Sequence, residues 1–239
     1  MSGSLKLLFP RTSGGALQAV LLNTAGGITG GDRFEIAAEA EAGAHLTVTT
    51  QAAERIYRAQ PGAPGHVRST LRVASRAQLH WLPQETILFD GAALDRSLRI
   101  EAAGDARVLA CETLAFGRLA MGERVNKVFL RDRLDLVVDG QLAFADRLRL
   151  DGDADGQLQR LAVAQGAMAM ASVLLSAPDA ARHVPAIRDM LPETGGASAI
   201  TNDLVFVRLL AHDTLSLRGV LVPLLVALSA TDLPRPWMI

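Results

Sequence analysis

A strand–turn–strand unit recurs four times in the first two thirds of the chain, and no other feature narrows the possible folds as far. Asp32-Arg33-Phe34-Glu35-Ile36 runs through small residues into Gly43-Ala44-His45-Leu46-Thr47-Val48. Arg68 to Val73 runs into Arg76-Ala77-Gln78-Leu79-His80-Trp81, and Asp95-Arg96-Ser97-Leu98-Arg99-Ile100 into Asp105-Ala106-Arg107-Val108-Leu109. Asp132-Arg133-Leu134-Asp135-Leu136 runs into Asp139-Gly140-Gln141-Leu142-Ala143-Phe144. Leu46, Leu79, Leu109 and Leu142 follow one another at 33, 30 and 33 residues. Side chains alternate within the units, as with Phe34, Ile36 and Ala38 against Arg33, Glu35 and Ala37. That period of two belongs to half-buried strands. Self-similarity at this spacing implies stacked supersecondary repeats. The predicted fold is mainly β, a β-helix-like solenoid of strand–turn–strand repeats. A plain β-sandwich is the alternative that short, evenly spaced strands also allow.

Helical signal is confined to the last third. A helix is predicted from Pro178 to Leu191, with Ser176 as N-cap and Pro192 as the stop. A second is predicted from Thr214 to Ser229, apolar on most faces and hence buried or docked on a partner. With 239 residues, 49% of them hydrophobic, and no low-complexity linker, a single domain over 1–239 is expected. A net charge of -1 offers no overall basic field for nucleic acid. The most apolar run, 220–228, falls short of the ~20 residues of a membrane helix, and Pro223 interrupts it. No charged and apolar leader opens the sequence, which makes the cytoplasm the expected compartment.

The chemistry-bearing motifs are sparse. Ala25-Gly26-Gly27-Ile28-Thr29-Gly30-Gly31-Asp32 has the glycines of a phosphate-cradling loop. It lacks the Lys-Ser/Thr pair and the following helix, and Asp32 would repel phosphate. The glycines read as a turn between stacked strands. His45, His66, His80, His183 and His212 show no i, i+2 or i, i+4 pairing of metal ligands, although His45 and His80 occupy equivalent repeat positions. No Gly-x-Ser-x-Gly elbow is present, and Cys111, the lone cysteine, sits in a strand-like run where it reads as inert core. The acids carry more. Asp32, Glu85, Glu112 and Asp146 lie at or near strand ends, where stacking would bring carboxylates into proximity along the pile. Carboxylates suit passage of a hard or borderline divalent cation, whereas thiolates would trap it. For each acid taken alone, a surface ion pair with one of the many arginines is the plainer reading.

These residues also carry a resemblance. The glycine segment ending in Asp32 is similar to the urease accessory protein D family (UreD). So is Thr49-Thr50-Gln51-Ala52-Ala53-Glu54-Arg55-Ile56-Tyr57-Arg58, as is Trp81-Leu82-Pro83-Gln84-Glu85-Thr86-Ile87-Leu88-Phe89-Asp90-Gly91-Ala92. Phe116-Gly117-Arg118, Met121-Gly122-Glu123, Asp146-Arg147-Leu148-Arg149-Leu150 and Leu233-Pro234-Arg235-Pro236-Trp237 follow in family order. The chain departs from the pattern in a shortened N-terminus and in Pro236, where the family usually has an aliphatic residue. The resemblance implies a β-helix-like stack with about two helices and a non-enzymatic maturation factor. Its implied partners are apo-urease, the accessory F protein and, through F, the GTPase accessory protein G. Nickel(II) would be transient cargo with no permanently bound cofactor. On the resemblance and the strand-end argument together, Asp32 and Asp146 are expected to line a nickel path, with Glu85 and Glu112 as weaker candidates. The apolar segment near 215–228 and the tail are expected either to dock the F protein or to cap the stack. Two rival readings are a generic β-solenoid binding module without a metal role and a metal-dependent enzyme built on the acids.

Overall fold

The computed structural model describes residues 3–12 and 15–238. Its alternating segments bury one face each, and the chain satisfies them by winding between two facing sheets. The antiparallel pair β1 (Leu5–Leu8) and β2 (Leu17–Asn23) forms one edge of the larger sheet. The first coil places β3 (Arg33–Ala40) in the smaller sheet, then β4 (His45–Thr50) and short β5 (Glu54–Ile56) in the larger. The second repeats this with β6 (Gly65–Val73), β7 (Gln78–Leu82) and β8 (Thr86–Leu88); the third has β9 (Ala92–Ala102) and β10 (Arg107–Phe116). Equivalent strands pair in parallel from coil to coil, as β3, β6 and β9 do in the smaller sheet and β4, β7 and β10 in the larger. The expected β-helix-like stack is thus what forms.

The fourth unit departs from the first three. After β11 (Val128–Val138), which joins the smaller sheet in parallel with β9, the chain turns straight back into β12 (Gln141–Gly152) in the same sheet. The cause is the Asp139-Gly140 turn, whose φ values of 48° and 79° are those of a tight hairpin rather than of a corner to the other sheet. Leu142 is therefore 62% exposed and is not equivalent to Leu46 and Leu79. In the third coil the residue in register with Leu79 is Val108, so Leu109 faces the other way. The one-turn α1 (Ala154–Leu158) follows. The larger sheet is then completed by antiparallel β13 (Ala169–Ser176), β15 (Leu204–Ala211) and edge strand β14 (Gly195–Thr201).

Two longer helices lie in the last third, as expected. The first is split into a 3-10 turn (Ala180–His183) and α2 (Val184–Met190), with Pro185 in the first turn, where its missing N–H does no harm. Ser176 ends β13 instead of capping the helix. The second, α3 (Thr214–Ser229), begins at Asp213, whose carboxylate accepts the Ser216 N–H at 2.7 Å. Leu217, Leu221, Leu224, Leu225 and Leu228 bury α3 against the outer face of the larger sheet, on Leu109, Cys111, Val173 and Val205. The apolar side of α3 is thus covered by this chain's own sheet, on the outer face of that sheet and not over an open end of the stack. The tail follows it down: Trp237 is buried and donates its indole N–H to the Leu82 carbonyl at 2.9 Å, with Pro236 accommodated in a 3-10 turn.

A polar layer as candidate functional site

Between the sheets the apolar filling is interrupted at one level. β9 presents Leu94, Arg96 and Leu98 inward; β11 presents Leu130, Asp132 and Leu134. From the facing sheet come Ala110, Glu112 and Leu114 on β10, Met170, Ser172 and Leu174 on β13, and Phe206, Arg208 and Leu210 on β15. In each strand the middle residue of the inward triplet is polar. One apolar cluster lies on either side, so the polar residues form a layer running across the strands.

Ion pairs join the sheets within this layer. Arg96 gives one guanidinium nitrogen to Glu112 at 2.7 Å and holds Asp132 through two nitrogens, at 2.6 and 3.0 Å. Its contact with the Thr86 hydroxyl is 3.1 Å, and Trp81 donates its indole N–H to Glu112 at 2.7 Å. Burial opposes the charge on Arg96, but Asp132 and Glu112 outweigh it and keep the guanidinium firmly cationic. Burial also holds the Glu112 carboxyl above its usual range, against the attraction of Arg96. Farther along, Arg208 on the larger sheet meets Asp146 on β12 at 2.6 Å.

At the other end the layer opens outward. A cavity of about 70 Å³ is lined by Glu54, Gln84, Thr86, Arg96 and Glu112. It shares Leu5, Leu21, Phe34 and Ile36 with a groove of about 750 Å³ between the β1–β2 edge and β3, and Asp32 lies on that groove. Burial raises the Glu54 carboxyl, opposed by a hydrogen bond from the Asn23 amide at 3.0 Å. The mouth is rigid. Asp32 accepts the Thr29 N–H at 2.9 Å, closing the glycine turn on itself. Gly27 has no room for a Cβ because the Tyr57 ring and the Arg55 carbonyl lie against it. Gly27 and Gly30 serve close approach, whereas Gly26 and Gly31 serve a turn with φ of 81° and 85°.

The sequence-derived acids divide accordingly. Asp32, Glu112 and Asp146 mark the mouth, the middle and the far edge of one interior, while Glu85 turns to α3, its carboxylate 3.6 Å from Arg218. His45 and His80 do come together, as an edge-to-face pair 4.9 Å apart, but on the opposite face of the larger sheet from the layer. Cys111 is buried in the core, its thiol pushed up to about 12 by burial. Sequence reasoning passed over Glu54, Arg96, Asp132 and Arg208. Their signal was a charged residue interrupting an inward stripe at period two, as in Leu94-Asp95-Arg96-Ser97-Leu98. Among the described residues no three His, Cys, Asp or Glu side chains converge as a group that could hold a metal ion. No helix among the described residues is long and apolar enough to cross a membrane.

Fold and site together define a β-solenoid protein with an acid-rich polar layer through its interior. Residues 1–238 match the UreD urease accessory protein family. The chain is 49% identical over 238 residues to the urease accessory protein UreD of Ruegeria pomeroyi, covering 100% of this chain and 93% of that protein. It is 46% identical over 236 residues to that of Roseobacter denitrificans, with 99% and 86% covered, and 44% identical over 244 residues to that of Methylobacterium sp., again with 99% and 86% covered. The chain belongs to the UreD family of urease accessory proteins.

Proposed function

We propose that the chain is a non-catalytic scaffold and nickel conduit in urease maturation. In this reading it works in the cytoplasm between apo-urease and the accessory F protein, through which the GTPase G joins. Nickel(II) is its cargo, not a resident cofactor. One observation carries the reading: the groove at Asp32 and the cavity share a wall and reach inward as far as Arg96 and Glu112, and Asp146, paired with Arg208, lies four strands from the Asp32 edge. At usual strand spacings that is roughly 19 Å.

The layer's charge fits a cation path. Glu54, Glu112, Asp132 and Asp146 face two guanidiniums, Arg96 and Arg208, so carboxylates are in excess. A divalent ion leaving water meets a steep desolvation cost that fixed carboxylates offset. Arg96 is the resident counter-charge, and an ion enters the Glu112–Asp132 position as the guanidinium withdraws. Competition of this kind keeps affinity modest, which conduction requires. The test is co-expression with apo-urease, the F protein and the GTPase, with urease nickel measured with and without this chain. Nickel content independent of the chain would sink the proposal.

A further inference from the structure

Among the described residues no helix or strand packs over the outer face of the smaller sheet, and its charges are sorted by position. Strand register aligns Arg33, His66, Asp95, Arg131 and Arg149 in one row across five strands. The next outward row is Glu35, Arg68, Ser97, Arg133 and Arg147. These two rows hold six arginines and two acids. The two rows beyond reverse the balance, with Arg72 and Arg99 against Glu39, Glu101 and Asp135.

The basic rows are not explained by folding. Arg131 stands directly opposite Arg149, and Arg133 opposite Arg147, an arrangement that works against strand pairing. Asp95 is shared between Arg131 at 3.4 Å and Arg133, while Asp135 and Asp151 reach in from flanking rows to Arg147 and Arg149. Counting those two as well, six guanidiniums face four carboxylates. Arg68 is 4.0 Å from Glu35, and Arg33 has no ion pair among the described residues. A shallow depression of about 240 Å³ lies over these rows, walled by Arg33, Arg68 and Arg133. All this sits on a chain with a net charge of -1, so the positive field is local.

We infer that this face docks a folded protein partner through an acidic patch, with carboxylates of the partner entering the depression. The inference rests on the urease-maturation reading, which requires partners but does not say where they bind. The two basic rows cover roughly 300 Å² of a five-strand face on the order of 600 Å², so they form the charged centre of a standard interface and not its whole extent. A folded protein is favoured over a polyanion because Asp95 and Glu35 interrupt the guanidiniums, a mixed pattern that discretely placed carboxylates can match and a continuous phosphate track cannot. Apart from the His66 imidazole, the two basic rows carry no aromatic side chain on which a base could stack.

The test is the triple variant Arg33→Glu, Arg68→Glu, Arg149→Glu, chosen from exposed side chains. Its binding is measured separately to purified apo-urease, purified F protein, phosphatidylserine vesicles and a single-stranded oligonucleotide. Expected is a loss of about tenfold or more in affinity for one of the two proteins at ~0.1 M salt, shrinking toward 1 M as screening shortens. Unchanged affinity for both proteins overturns the inference, as does a loss confined to vesicles or oligonucleotide. Should the Glu variant not fold, a matching Arg→Gln triple, checked for folding by its melting temperature, is put through the same four binding measurements. Unchanged binding together with normal urease nickel loading would remove this surface and leave the proposed function standing.

Discussion

Arg96 on β9 and Glu112 on β10 face each other across the gap between the two sheets, guanidinium to carboxylate at 2.7 Å, with both side chains only 10% exposed. Replacing either partner alone leaves the other charged and buried, which is far costlier than losing a surface pair. Arg96→Met is expected to destabilise the fold by about 3–5 kcal/mol in urea unfolding. Adding Glu112→Gln to it should recover part of that loss. A single-variant cost below about 1 kcal/mol would mean that water already reaches the pair.

Asp32 and Asp146 should matter to cargo more than to folding. Asp32→Asn keeps an acceptor for the Thr29 N–H, and Asp146→Asn keeps one for Arg208, while both remove charge. With both changes the complex with F protein and apo-urease is expected to assemble normally, and urease nickel content in cells to fall severalfold. Full nickel loading by the double variant would remove these two residues from the path.

Stability should have an acid limb that reports on His80. Burial, with smaller contributions from His45 and Arg107, lowers this imidazole from 6.5 to about 4. The folded state therefore favours neutral His80. Stability from this source is complete above pH 6.5, declines as pH falls, and is lost below about 4, amounting to roughly 3 kcal/mol. His80→Phe should show a shallower decline over that window in denaturant titrations at fixed pH. Parallel limbs for variant and wild type would refute the assignment.

Leu224, fully buried on the sheet-facing side of α3, tests whether that helix is core or a detachable docking element. Leu224→Ala is expected to cost about 2–5 kcal/mol, as for other large core deletions. Truncation after Asp213 should yield an unfolded or aggregating chain. A truncated form with native-like circular dichroism and cooperative melting would show α3 to be dispensable.

Much of the fold was legible because the coils repeat their alternation, and parallel register follows once Leu46 and Leu79 align. What misled was a leucine count taken past the second coil, since Leu109 is already out of register with Leu79 and Leu142 lies in a hairpin. Asp139-Gly140 carries a hairpin signature that outweighs the periodicity of Leu142. The site was legible only in pieces. Asp32, Glu112 and Asp146 were singled out as strand-end acids, but only Asp32 lies at a strand end; Glu112 sits in the middle of β10 and Asp146 in the middle of β12, and the partners of these two are arginines on other strands. Pairing across sheets, as between Arg208 and Asp146, depends on register over 62 positions of sequence, which local patterning does not encode. Glu85 shows the converse: its strand-end position is sound, yet the chain path there turns it toward Arg218.

The hairpin that ends the winding acts as a length stop. Parallel coils can be duplicated by copying a stretch of about thirty residues, and each copy would add one strand spacing, about 4.8 Å, to the pile. Because β11 returns at once as β12, the pile is closed at a set count, and Asp32 and Asp146 end up on opposite rims of the same sheet. The molecule behaves as a gauge block whose thickness fixes how far apart two bodies resting on its rims can stand.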